Sequence, residues 1–191
     1  MTDIGLPLVR ILSRYHPRGP ADAAGLARCQ DLARTTADPW LRSRPVHFTA
    51  SAMVVHPPSA RVLLRWHERL QAWLQIGGHG DPGETEPIDI ALREGREETG
   101  LADLAPWPDG ALLHVSVLDV PASSDEPAHQ HADLRFVLAT ASPDTASPEN
   151  PGAPLRWLSL PKAAEIADHG LRETLARLET LLPALSASPV E

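Results

Sequence analysis

The chain has 191 residues, 42% of them hydrophobic and 22% charged, so it has room for one domain with an appendage and a proper core. Its formal net charge of −8 argues against binding nucleic acid polymers, whose phosphates call for a basic surface; a bound cation could still bring in a small anion. No apolar run approaches a membrane span, no signal-peptide core follows the charged start, and the sole cysteine, Cys29, allows no internal disulfide, which together point to a reducing cytoplasm.

Residues 6–16 and 20–36 read as helices, separated by Gly19-Pro20, with Ala23, Leu26, Ala27, Leu32 and Ala33 giving the second an apolar stripe. Together they form an N-terminal extension that leaves through Asp38-Pro39-Trp40. Phe48 to Val55 reads as a strand stopped by Pro57-Pro58, and Arg61 to Trp66 as a second strand paired with it in a hairpin. Trp73 to Ile76 is a short strand running into Gly77-Gly78. Thr85 is the expected cap and Pro87 the expected first-turn residue of a helix whose inward face is Ile88, Ala91, Leu92 and Gly95, with Gly100 ending it. Leu112 to Val120 and Ala132 to Ala139 are further strands around a polar loop, Pro121 to Pro127. Ala141 to Pro154, with four prolines and no periodicity, reads as an exposed loop. Leu155 to Leu160 is a last strand, and Pro161 through Leu182 a pair of helices interrupted near His169-Gly170. Residues 186–191 read as a frayed end.

The densest chemistry lies in Arg93-Glu94-Gly95-Arg96-Glu97-Glu98-Thr99-Gly100-Leu101. A helix turns by about 100° per residue, so Glu94, Glu97 and Glu98 share one narrow face. Carboxylates crowded there repel one another unless a cation sits between them, and hard divalent ions take oxygen ligands together with water and substrate phosphate oxygens. The pattern points to a metal platform for phosphate chemistry. A solvated charged face is the plainer alternative, and it leaves the Gly-Gly-His turn and the Pro82-Gly83 loop unexplained.

This stretch resembles the signature of the Nudix hydrolases, G-x5-E-x7-R-E-U-x-E-E-x-G-U, in which U is a bulky apolar residue. Gly78 and Glu84 match its first half; Arg93, Glu94, Glu97, Glu98, Gly100 and Leu101 match its second. Eight residues rather than seven separate Glu84 from Arg93, and Gly95 stands where the pattern has an apolar residue. The extra residue is expected in the loop, where insertions are tolerated. Gly95 is expected to weaken packing, at about 0.5–1 kcal/mol against alanine.

The resemblance implies an α/β fold, a Nudix-type α/β/α sandwich with a mixed sheet, over residues 46–182, with 1–45 as a helical extension and 183–191 as a frayed tail. It implies Mg²⁺ or Mn²⁺ held by Glu94, Glu97, Glu98 and the Gly78 carbonyl, with water attacking a diphosphate linkage of a small nucleoside diphosphate derivative. Glu94 or Glu98 is the favoured base. Arg93 would hold the carboxylates, within reach of Glu97 one turn on, and Glu84 would be its partner or an outer metal ligand. The extension is left with two roles, a cover over the cleft or a homodimer surface. Two rival readings stand beside the hydrolase. A nucleotide-sensing module of the same fold would not need an intact glutamate set. An isoprenoid-diphosphate isomerase typically needs a cysteine near the site, and Cys29 lies in the extension.

A second constellation is His129-Gln130-His131-Ala132-Asp133-Leu134-Arg135-Phe136. Strand alternation puts His129, His131, Asp133 and Arg135 on one face, either a half-exposed polar surface or the wall of the substrate cleft. On the second reading His131, Asp133 and Arg135 bind substrate, with Arg135 gripping a phosphate through its planar fork. Arg65 could meet a phosphate too, and Trp73 could stack on a base or belong to the core. His-x-His invites a zinc reading, but the sequence places no third soft ligand, and the face is expected not to be a second metal centre. His79 is expected to be a loop side chain, because a hard Mg²⁺ site prefers oxygen.

Overall fold

Two strands running parallel organise the molecule, which is a computed structural model describing residues 3–124 and 126–182. β1 (Val46–His56) and β7 (His129–Ala139) lie side by side in register from Val46↔Gln130 to Val55↔Ala139. Both are central, so their backbone groups are paired on both edges, and all of β1 between its ends is buried.

On one edge, β1 pairs antiparallel with β2 (Arg61–His67) only at residues 54–56. Beyond that, β3 (Ala72–Leu74) takes the edge of β2 and β4 (Ile76–Gly78) takes the edge of β1 at residues 50–52. The strand expected over Trp73 to Ile76 is therefore two, changing partner at Gln75, and β1 and β2 splay apart around it. β8 (Leu155–Ser159) borders β2 on its other edge, while β5 (Ala105–Pro106) and β6 (His114–Val120) border β7. The result is an eight-stranded mixed sheet.

Period-two alternation assigns the two faces. Phe48, Ala50, Ala52 and Val54 of β1, with Ala132, Leu134, Phe136 and Leu138 of β7, share a core with α1 (Leu6–Leu12), α2 (Pro20–Thr35) and α3 (Pro87–Thr99). Met53, Val55 and Val137 face the other way, onto α4 (Leu160–Ile166) and α5 (His169–Glu179). Helices on both faces of a mixed sheet are the α/β sandwich expected from the sequence. The N-terminal helices are built into it, since Leu8, Leu12, Cys29 and Ala33 are buried in the same core as β1.

Several local readings shift. Glu86, not Thr85, occupies the cap position of α3, with Pro87 in its first turn, and Gly100 closes the helix at φ 66°, a left-handed conformation that favours glycine. The loop 141–154 is tucked against α3 rather than free. Its Ser147 N–H donates to Thr99 O at 2.8 Å, and Pro143 and Ala153 are buried. The break between the last helices falls at Ala167-Asp168, where the Asp168 carboxylate caps α5 by accepting from the Leu171 N–H. Among the described residues no helix is long and apolar enough to cross a membrane. The expected frayed tail, 183–191, lies outside the described residues.

Candidate active site

α3 presents its acidic face at the point where β4 joins β1. Arg93 is the hub there. Its Nε and Nη2 donate to Glu84 at 2.9–3.2 Å, its Nη1 donates to Glu94 at 3.0 Å and to Glu97 at 2.8 Å, and its Nη2 also donates to the His79 carbonyl at 2.9 Å. One guanidinium thus ties the loop after β4 to three carboxylates, and the fork geometry of arginine suits that task. The hydrogen bonds with Glu84 come first among the influences that hold Arg93 above its ordinary pKa, and the same bonds hold Glu84 below its own. Glu84 thus reaches Arg93 across the eight residues that separate them.

Glu97 stays half exposed, whereas Glu94 and Glu98 turn inward. Burial pushes the Glu98 carboxyl up from 4.5 to about 7, against the pull of Arg65, whose Nη1 lies 3.3 Å from Oε1, and of the Gly77 N–H, which donates to Oε2 at 3.2 Å. Burial also raises Glu94. Gly78 makes this packing possible. A Cβ there would lie 2.7 Å from the Glu94 carboxylate, closer than real contacts allow.

Beside these carboxylates, where β1 and β2 splay, opens a cavity of about 330 Å³. Glu98, Gly77, Gly78 and Arg65 line one side, and polar residues of β1 and β7 line another. Parallel register sets Thr49 beside Asp133 and Ser51 beside Arg135 on one face. Burial would raise the Asp133 pKa, but the Arg135 charge and hydrogen bonds from Arg135, Ser51 and Thr49 hold it below the ordinary value. Arg135 is 2% exposed; besides Asp133 at 2.8 Å it donates to Gly170 O at 3.0 Å and Thr174 Oγ1 at 2.6 Å on α5. Asp133 and Arg135 therefore form the floor of the cleft, each largely engaged by neighbours.

His131 and His79 line the same cavity, with ring centroids 4.9 Å apart. Trp73 does not line it. Its ring meets Trp66 edge-on at 5.5 Å and carries the Arg156 guanidinium 5.0 Å from its centroid. Cys29 is buried on α2 among apolar neighbours, and burial pushes its thiol up to about 12. That makes it a poor nucleophile for the isomerase reading.

Sequence reasoning passes over several cleft residues. Thr49 and Ser51 carry the same alternation as β7, with His47 continuing their row, so period-two polarity within an apolar strand was the available signal. His67 and Arg69 line the cavity from β2 and the turn after it. Glu149, in the 141–154 loop, donates its N–H to Glu98 O at 3.4 Å and adds to the upward pull on the Glu98 pKa. No local pattern marks these residues.

Glu94, Glu97, Glu98 and the Gly78 carbonyl offer oxygen donors of the kind a hard divalent ion takes, and a cation there would relieve the desolvation that raises Glu94 and Glu98.

The α/β sandwich with a carboxylate helix beside a splayed sheet is placed in a family by comparison with known proteins. The NUDIX domain family model matches residues 46–178, and the chain belongs to that family. No curated protein matches the chain by sequence. Among solved structures, a C. elegans Ap4A hydrolase in a binary complex is 20% identical, with a TM-score of 0.58 over 72% of this chain and 98% of that one. The E. coli dihydroneopterin triphosphate pyrophosphohydrolase is 18% identical, with a TM-score of 0.51 over 74% and 97%. A NUDIX-family hydrolase from Clostridium perfringens is 23% identical, with a TM-score of 0.50 over 73% and 97%. At such identities the likeness is one of fold.

Proposed function

We propose that residues 46–182 hydrolyse a diphosphate linkage in a nucleoside diphosphate derivative, using Mg²⁺ or Mn²⁺ held by the Gly78 carbonyl, Glu94, Glu97 and Glu98, in the cytoplasm. The largely buried Glu98 carboxylate, 12% exposed and facing a polar cleft beside Glu94, is the observation that carries the reading. When bound, the ion would polarise phosphate oxygens and acidify a water. The chain's own residues do the rest. Arg93 fixes Glu84, Glu94 and Glu97 as one group, and Arg65 with the Gly77 N–H holds Glu98, so their ordering cost is met before substrate arrives. Glu98, which exchanges a proton near neutrality when the ion is absent, and Glu94 are the candidate bases. Arg65 and the exposed Arg69 supply positive charge on the cleft wall for a phosphate. Asp133 and Arg135 form the floor of the cleft, and Trp73 packs outside it against Trp66.

The test is a panel of nucleoside triphosphates, dinucleoside polyphosphates, ADP-ribose, NADH and sugar nucleotides, assayed with Mg²⁺ and with Mn²⁺. Turnover of at least one member should fall at least about 10²-fold in Glu98→Gln, the scale of losing a major electrostatic contribution. A folded Glu98→Gln that turns over at the parental rate contradicts the mechanism, as does a parent that binds panel members and turns over none.

A further inference from the structure

At the end of the cleft away from Glu98, three segments distant in sequence deliver imidazoles to one point. His47 comes from the start of β1, His79 from the loop after β4, and His129 and His131 from the start of β7. Parallel register sets His47 beside His131. The ring centroids of His47 lie 5.1 Å from His79, 5.2 Å from His129 and 4.9 Å from His131. One donor nitrogen each of His47, His79 and His131 falls within 4.8 Å of the other two. His47 is fully buried.

We propose that His47, His79 and His131 bind one divalent transition-metal ion of the zinc type, with His129, whose Nε2 lies 3.0 Å from that of His131, as the fourth ligand drawn in when the ion binds, separate from the oxygen centre on α3. Sequence alone supplied only the His129/His131 pair, which is too few ligands; the fold supplies the third and fourth.

The tautomers support the assignment. His47 Nδ1 lies 3.0 Å from Arg44 O, and His129 Nδ1 lies 2.9 Å from Pro127 O. A carbonyl can only accept, so in each neutral ring Nδ1 carries the hydrogen and Nε2 keeps its lone pair. Those lone pairs point inward: His47 Nε2 is 3.0 Å from His79 Nε2, and His129 Nε2 is 3.0 Å from His131 Nε2. A ring held by a carbonyl through one nitrogen and offering the other is the usual outer-shell arrangement of a metal-ligating histidine. Two separate imidazole–imidazole hydrogen bonds would also satisfy the 3.0 Å contacts. They give no reason for the two pairs to converge, whereas a shared ion does. Zinc–nitrogen bonds of about 2.0–2.1 Å set tetrahedral ligands roughly 3.3 Å apart, so small side-chain rotations bring the His47, His79 and His131 nitrogens, now within 4.8 Å of one another, onto one ion.

Imidazole nitrogen suits zinc, copper or nickel and disfavours Mg²⁺, so the two centres discriminate between ions by donor type. The ion would join the start of β1, the start of β7 and the loop whose His79 carbonyl accepts from Arg93. It would thereby hold the Gly78–Arg93 arrangement from outside.

The experiment uses the full chain, stripped with a chelator and titrated with Zn²⁺ in millimolar Mg²⁺, which competes for the carboxylate centre. We expect one equivalent of zinc, retained in Glu94→Gln and in Glu98→Gln, with affinity falling at least about 10-fold in His47→Ala and in His131→Ala, a loss that even outer-shell changes can cause. Co²⁺ loaded into the unaltered protein should give the intense visible absorption of a tetrahedral nitrogen site, undiminished by Mg²⁺. This second readout decides the matter if the alanine variants fail to fold. The proposal is overturned by the absence of stoichiometric zinc in the parent, by zinc affinity unchanged in the folded histidine variants, or by a weak cobalt spectrum that Mg²⁺ abolishes. None of these outcomes bears on hydrolysis through Glu98, so the two readings fail independently.

Discussion

Gly95 and Gly78 both sit where an added methyl group would meet the site or the core, yet their consequences differ. At Gly78 the neighbour is the Glu94 carboxylate, so a side chain there displaces a group of the reaction centre. At Gly95 the neighbours are the Leu104 and Leu138 methyls, which would lie 3.0 and 3.2 Å from an added Cβ, and both leucines are buried. The core has closed over the missing side chain, so Gly95 leaves no hole to fill. Gly95→Ala should therefore change stability by less than about 1 kcal/mol, helix propensity gained against crowding of the two methyls. Gly95→Ile, the kind of residue the Nudix signature carries there, should cost about 1–3 kcal/mol by overpacking. Chemical denaturation of both variants checks this, and a stabilising Gly95→Ile would mean the leucines yield freely.

At the scale of elements, β7 and α5 are joined through Arg135, which bridges Asp133 on the strand to Gly170 and Thr174 on the helix. The alternation that put Asp133 and Arg135 on one face was legible in the sequence. Their engagement with each other and with α5 was not, because the carbonyl and hydroxyl that receive Arg135 lie 35 and 39 residues away. Removing one partner of a buried pair strands the other charge, so Arg135→Ala should destabilise the protein by about 3–5 kcal/mol. A loss of activity in that variant must accordingly be measured on the fraction that remains folded. Urea midpoints near the parental value would show that the pair is dispensable and leave Arg135 free to act as a direct phosphate contact.

For the molecule as a whole, the buried histidines set the acid limit. Burial pushes His79 down to about 4, His131 to about 3 and His114 to about 4 from an ordinary 6.5. Each binds fewer protons folded than unfolded below 6.5, so its share of stability is complete above that value and is lost as pH falls toward the folded pKa. Glu98 opposes them: raised from 4.5 to about 7, it favours the folded state at acidic pH and loses that contribution as pH rises through this window. Burial raises Glu94 in the same sense as Glu98 and lowers His47 and His67 in the same sense as the other histidines, so five depressed histidines outweigh two raised glutamates. The Tm of ion-free protein should fall as pH drops from 6.5 to 4, and a level or rising Tm across that interval would contradict the burial of the cluster.

The sequence by itself determined the parts whose physics is local. Helix periodicity placed Glu94, Glu97 and Glu98 on one face, proline and glycine punctuation bounded α3, and strand alternation sorted the faces of β7. Tertiary structure alone decided what depends on meeting across the chain. The Trp73–Ile76 strand divides at Gln75 because two different strands offer it an edge, and Trp73 faces Trp66 and Arg156 because of where β2 and β8 lie. Glu98 titrates near neutrality because of its burial, which the sequence of α3 does not specify. The imidazoles of His47 and His79 reach His129 and His131 only because β1 and β7 run parallel in register and the loop after β4 folds back over them. Spacing along a chain can fix which side chains share an element's face; it cannot fix which elements become neighbours.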